Sequence, residues 1–279
     1  MARYGMVIDL SRCTACYGCF VACKDEHWEN DYPPYSVGQS RFGQFWMNLV
    51  KYERGVYPYV KVAYMPMLCQ QCGNAPCIKA AKNGAVKRKR NGIVVIDPKK
   101  AIGQKQIVEA CPYGVIFWNE EKNLPQKCTL CAHRIDEGKT PRCVQICPSG
   151  CITFGDFDDP ESEVSKLLAA GKAEVFHPEW KTKPNIYYTN LEEVTKNFIA
   201  GAVVLGDVNE CAKGAAVTLS GPKGKRARTK TNAFGNFEFD GLEPGRYAVK
   251  IGTSGYKPRL LNIELTKSEY LGDITLART

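Results

Sequence analysis

Fourteen cysteines stand in a chain of 279 residues, and all but Cys211 fall before position 152. They form four groups: Cys13-x-x-Cys16-x-x-Cys19-x-x-x-Cys23; Cys69-x-x-Cys72 with Cys77; Cys111, followed by Pro112; and Cys128-x-x-Cys131 with Cys143 and Cys147, followed by Pro148. Thiols at this density are either oxidised in pairs or bound to metal. Cys13 interrupts the N-terminus before an apolar stretch of signal-peptide length can form, so no secretory address is expected. Tight C-x-x-C clusters without export favour metal over disulfides. Zinc takes four thiolates and suits an isolated pair such as Cys69/Cys72 or Cys128/Cys131. It suits C-x-x-C-x-x-C-x-x-x-C poorly. There, three close thiolates wrap one corner of an iron–sulfur cubane, and the fourth, one helical turn on, serves a second cluster.

The chain also carries its own comparison. Val7-Ile8-Asp9-Leu10-Ser11-Arg12-Cys13 matches Val95-Ile96-Asp97-Pro98-Lys99-Lys100-Ala101 at an offset of 88 residues. At that offset Cys16 falls on Gln104, Cys19 on Ile107 and Cys23 on Cys111, so the second copy keeps only its fourth cysteine. Likewise Cys143-x-x-x-Cys147 closes the last group, whereas Cys77 is followed four residues later by Ala81. If clusters take their fourth ligand crosswise, the cluster of positions 81, 101, 104 and 107 is absent as a whole and no ligand is stranded. Twelve cysteines then sort into three quartets: Cys13, Cys16, Cys19 and Cys147; Cys23, Cys128, Cys131 and Cys143; Cys69, Cys72, Cys77 and Cys111. Cys151 and Cys211 fall outside, and both read as small buried hydrophobes, with a substitute-ligand role as the alternative for Cys151, four residues past Cys147. The histidines His27, His133 and His177 form no site, and His133 reads as a satisfied neighbour of Cys131.

These ligands need elements to hold them. Tyr4–Asp9 and residues 92–96 read as strands entering the ligand loops, residues 20–26 and 104–110 as short helices, and 115–118 as a returning strand. The fold expected is α+β: two ferredoxin-like units, the first completed when residues 124–155 fold back, spanning 1–155. An insert over 28–65 is too aromatic for a disordered linker. It covers a cluster or forms a partner surface. Residues 156–198 read as a connecting segment with a helix near 160–171 and an extended piece at 185–188. From 199 to 279 the pattern turns to period-two strands at 202–205, 215–219, 237–239, 247–251, 260–265 and 271–276, which reads as a small Ig-like β-sandwich.

A formal charge of +9 invites a nucleic-acid reading. A cubane with four thiolates carries about −2, so three of them bring the protein to roughly +3. The runs Lys87–Arg90 and Lys223–Lys230 sit beside turn residues and read as solvated loops. No stretch approaches the length of a membrane helix. The chain is expected in the cytoplasm, or in the periplasm if it is exported folded beside a partner.

The four-group order, the Cys-Pro endings and the Ile96-Asp97-Pro98 and Cys111-Pro112-Tyr113-Gly114 stretches resemble the iron–sulfur subunits of the DMSO reductase family. Lacking one cluster and carrying a sandwich that looks like a carboxypeptidase-regulatory or Cna-B module, the chain is similar to the branch of pyrogallol–phloroglucinol transhydroxylase small subunits. Asp25-Glu26-His27, Trp46-Met47-Asn48, Asn74-Ala75-Pro76-Cys77 and Gln126-Lys127-Cys128-Thr129 carry the likeness over residues 1–150. The resemblance implies a large catalytic partner holding bis-molybdopterin guanine dinucleotide, in a heterodimer or multiples of it, acting on polyphenols. This chain would then be a non-catalytic electron-transfer subunit with no substrate-touching residue. A respiratory electron conduit and a purely structural cluster carrier are the alternatives.

Overall fold

The computed structural model describes residues 2–279. Contacts divide the chain into two compact units, one made of the residues up to Lys51 with Tyr64–Leu191, the other of Tyr52–Ala63 with Glu192–Thr279. The second unit thus takes in residues 192–198 and part of the segment read from sequence as the insert.

The first unit is organised on strand Tyr4–Asp9, whose Met6, Val7 and Ile8 are all buried. A run apolar on both faces belongs in the middle of a sheet. The strand pairs antiparallel with Ile152–Asp156 (Tyr4 opposite Asp156, Ile8 opposite Ile152) and parallel with Ile186–Thr189 (Met6 opposite Ile186). Gly5 permits this pairing: a Cβ there would lie 2.1 Å from the Asn185 carbonyl oxygen. Two short antiparallel hairpins complete the scaffold, Val86–Arg88 with Val94–Ile96 and Ile116–Asn119 with Leu124–Lys127. Their apolar faces join Ala85, Ala101 and Ile107 in one core. The expected helices are present but shift at their ends: Gly18–His27, Gln106–Glu109 and Glu163–Ala169.

Residues 28–46 are irregular, tied by bridges between Trp28 and Gln39 and between Tyr32 and Ser36. A hairpin that the sequence pattern does not foretell follows, Met47–Val56 with Tyr59–Leu68. Trp46 is buried and packs on His27 at 4.7 Å between ring centroids, whereas Phe42 is 76% exposed.

The run Lys87–Arg90 does form a hairpin end, but two of its cations are committed. Arg88 donates to the carbonyls of Cys72 (2.7 Å) and Gly73 (2.8 Å), and Lys89 pairs with Asp136 at 2.8 Å. That corrects the reading of a freely solvated loop.

The second unit contains two four-stranded sheets. One runs Arg226–Lys230, Ala216–Ser220, Gly245–Gly252, Arg259–Leu265. In the other, Asn197–Leu205 pairs with Glu210–Cys211, Asn236–Leu242 and Glu269–Leu276. Alternate residues of both point into one core with Val203, Val217, Phe237, Val249, Leu265 and Ile274. The six expected strands are all found. The second basic run is corrected, since Arg226–Lys230 is an edge strand. Charged side chains on an edge discourage pairing with another chain. Cys211 is exposed rather than buried, because its two-residue strand lies at a sheet margin. Among the described residues no helix is long and apolar enough to cross a membrane.

Candidate metal centres

Each ligand loop is launched by a strand and closed by a helix. After Tyr4–Asp9, the Asp9 carboxylate accepts from the Ser11 amide at 3.1 Å and starts the turn into Cys13. Ala15 and Tyr17 then take left-handed backbone conformations, bending the loop back on itself before helix Gly18–His27 brings in Cys19 and Cys23. The strand Leu124–Lys127 leads into Cys128, with Leu130 and Cys131 left-handed, and helix Arg142–Ile146 carries Cys143. Strand Tyr59–Leu68 leads into Cys69, Gln71 is left-handed, and helix Pro76–Ala80 carries Cys77.

Three sets of thiols come together. Cys19 is pushed up to about 12, by burial first and then by Cys13, Cys147 and Cys16. Cys23 and Cys143 are both raised well above the ordinary thiol value, by burial and then by Cys128 and Cys131. Cys72 is pushed up to about 12 by burial, then by Cys69, with Cys111 and Cys77 adding to it. A cavity is lined by Cys69, Cys72, Cys77 and Cys111 together. The three sets follow one another. Cys19 raises both Cys23 and Cys143, linking the first set to the second, and Cys69 raises Cys128, linking the second to the third. The second set is wholly buried, whereas Cys16 of the first is exposed and Cys111 of the third half-buried.

The buried thiols resist ionisation as free acids. A hydrogen bond with Cys151, by contrast, draws Cys13 down to about 6, and Cys147 is lowered against its burial by hydrogen bonds with Ser149 and Cys151. The buried thiols become ligands only where a metal core's positive charge replaces their protons. Among the described residues no three such side chains converge on a single ion. A cubane does not ask that of them, since each of its thiolates meets a different iron. Four thiols per set, closed to water in the second set and open to it at Cys16 in the first, fit that group.

The positions where the repeat would put a fourth set of thiols hold packed side chains. Ala101 and Ile107 are fully buried in the core with Val86, Ile96 and Ile116, and Ala81 packs against them. Gln104, where a thiol would stand, uses its amide as a tie. Its Nε2 donates to the Lys100 carbonyl at 2.7 Å, and its Oε1 accepts from the Lys82 amide at 2.8 Å. The opening turn is repeated as well, with the Asp97 carboxylate accepting from the Lys99 amide at 3.1 Å as Asp9 does from Ser11.

Several neighbours of the thiols are not legible in the spacing. His27, not His133, approaches Cys131, with its Nε2 3.7 Å from Sγ. Burial, then His133, pushes the His27 pKa down to about 3, so its ring is neutral. His133 stacks on Tyr32 at 3.6 Å and meets Glu26 at 2.9 Å. His177 stacks on Trp180, away from the thiols. Cys151 is buried as expected, but its Sγ lies 3.7 Å from that of Cys147 and it hydrogen-bonds Cys13. Gln71, fully buried in the Cys69–Cys72 loop, donates to the Cys128 carbonyl at 3.1 Å and so spans two sets. Lys127, buried beside Cys128, had a legible signal: a lysine immediately before a candidate ligand.

Comparison with known proteins agrees with this geometry. Residues 60–157 match the 4Fe-4S dicluster domain family, and residues 199–277 the carboxypeptidase regulatory-like domain family. The chain is 45% identical to the pyrogallol hydroxytransferase small subunit of Pelobacter acidigallici, over 91% of this chain and 92% of that one. It is 32% identical to the arsenate respiratory reductase iron–sulfur subunit of a Shewanella species, over 67% of this chain and 95% of that one. With a tetrathionate reductase subunit of Salmonella typhimurium it shares 34%, over 68% of this chain and 74% of that one. Cysteine-lined sets and near full-length similarity lead to one conclusion: this chain belongs to the iron–sulfur electron-transfer subunits of the DMSO reductase family of molybdoenzymes.

Proposed function

We propose that the chain carries three [4Fe–4S] clusters and serves a large subunit whose bis-molybdopterin guanine dinucleotide site hydroxylates or transhydroxylates polyphenolic rings. The ligands are Cys13, Cys16, Cys19 and Cys147; Cys23, Cys128, Cys131 and Cys143; and Cys69, Cys72, Cys77 and Cys111. The observation that carries this reading is that twelve thiols gather in three adjoining sets, while Ala81, Ala101, Gln104 and Ile107 occupy the fourth place with packed side chains. The repeated Asp9 and Asp97 turns support an origin by duplication of a ferredoxin-like unit. Similarity to a pyrogallol hydroxytransferase small subunit supports the polyphenol partner. Bound clusters supply one-electron transfer at potentials set by burial and by hydrogen bonds to sulfur. The residues of this chain hold them in line and keep water out, and contribute no catalytic group. The site of action is the cytoplasm, or the periplasm if the complex is exported folded. A respiratory conduit is the second reading, favoured by the similarity to arsenate and tetrathionate reductase subunits.

The test is anaerobic purification from the native host with whatever co-purifies, and determination of Fe, Zn and Mo. About 12 Fe per copy of this chain, with Mo in the complex, is expected. About 16 Fe with no other iron-bearing chain present would overturn the three-cluster count, and about 8 Fe or substantial Zn would remove the third set. Polyphenol turnover by the complex, against arsenate or tetrathionate reduction, separates the two readings.

A further inference from the structure

Lys127 ends the strand Leu124–Lys127 and is 2% exposed. Its ammonium has three N–H groups and three acceptors. They are the Val94 carbonyl, the Cys128 carbonyl at 3.1 Å, and the Cys69 thiol. No carboxylate pairs with it among the described residues. A buried cation served only by two carbonyls and a thiol is costly unless negative charge stands nearby. Here that charge can come from two directions. Cys69 and Cys77 belong to the third set of thiols, and Cys128 to the second. A neutral amine has only two N–H groups for the three acceptors, so the arrangement fits the ammonium.

We propose that Lys127 is a shared counter-ion between the second and third clusters, holding up both reduction potentials and easing the repulsion between them, so that electrons pass along that pair. The inference rests on the proposed cluster-bearing role of those two sets. Each occupied set carries about −2, and adding an electron makes it more negative. One fixed positive charge in a dry site stabilises the reduced form of whichever neighbour holds the electron. Gln71 contributes the second link, joining the Cys69–Cys72 loop to the Cys128 carbonyl without adding charge. The first set adjoins the second, and among the described residues no hydrogen bond joins it to Lys127, so it provides an internal reference.

The experiment is an EPR-monitored redox titration of the anaerobically purified complex, for wild type, Lys127→Met and Lys127→Arg, with iron counted in each. Lys127→Met is expected to shift the reduction equilibria of two of the three clusters about tenfold towards the oxidised form, about 59 mV for one electron. The remaining cluster, on Cys13, Cys16, Cys19 and Cys147, should not move. Lys127→Arg should keep both potentials near the wild-type values. A full iron complement with all potentials unmoved in Lys127→Met, or with all three moved alike, overturns the role of Lys127 and leaves the cluster reading standing. Missing iron in the wild type would sink the cluster reading itself. Should Lys127→Met fail to retain iron, wild type grown on ¹⁵N-lysine decides. Pulsed EPR of the reduced complex should show a ¹⁵N coupling on the cluster held by Cys69, and its absence refutes the proposal.

Discussion

Replacing Ile107 by alanine tests the idea that one cluster site has been filled with apolar packing. Ile107 stands where a third close thiol would stand if the second copy of the repeat were intact, and it is fully buried against Val86, Ile96, Ala101 and Ile116. The substitution removes three carbons, worth about 0.8 kcal/mol each in transfer alone. The cavity left in a core tied by strands on one side and by Gln104 on the other adds to that, for a total of about 3–4 kcal/mol. For a unit of this size the thermal transition should fall by about 6–16 °C. Iron should stay at about 12 per chain, because no ligand is touched. The assay is an anaerobic melt followed by circular dichroism, with iron counted on the same sample. An unchanged melting temperature together with the loss of about four iron atoms would refute the reasoning, for it would put a cluster at that position.

Three other outcomes are expected. Cys111→Ser should lower iron from about 12 to about 8 per chain, whereas Cys151→Ala should leave it at about 12, since Cys151 touches Cys147 and Cys13 but completes no set. A mass-spectrometric iron count on both variants checks this, and a loss from Cys151→Ala would make Cys151 a ligand. Gly5→Ala should destabilise the first unit by at least about 1–3 kcal/mol, because the added methyl meets the Asn185 carbonyl and the Phe157 ring at once. An unchanged denaturation midpoint would contradict it. Removing the His27 contact with Cys131 by His27→Phe should lower the potential of the second cluster by roughly 20–65 mV, the worth of one hydrogen bond of about 0.5–1.5 kcal/mol. A redox titration that finds that potential unmoved would show that the imidazole donates nothing to the thiolate.

The spacing of cysteines by itself determined how the thiols can be shared out. Within C-x-x-C-x-x-C the geometry is local, and the 88-residue repeat shows which partners are missing. The sandwich strands were legible for a similar reason, because alternation such as Val217 and Leu219 inward with Thr218 between them is a property of a few neighbouring residues. What surrounds the thiols was decided only by the tertiary structure. Lys127 meets Val94 and Cys69, Gln71 meets Cys128, and His27 meets Cys131 104 positions away. No periodicity encodes such contacts. Both basic runs misled for the same physical reason. A lysine or arginine carries the same charge on a free loop, on an edge strand such as Arg226–Lys230, or tied to the Cys72 carbonyl as Arg88 is. Only the fold determines whether water or protein answers it.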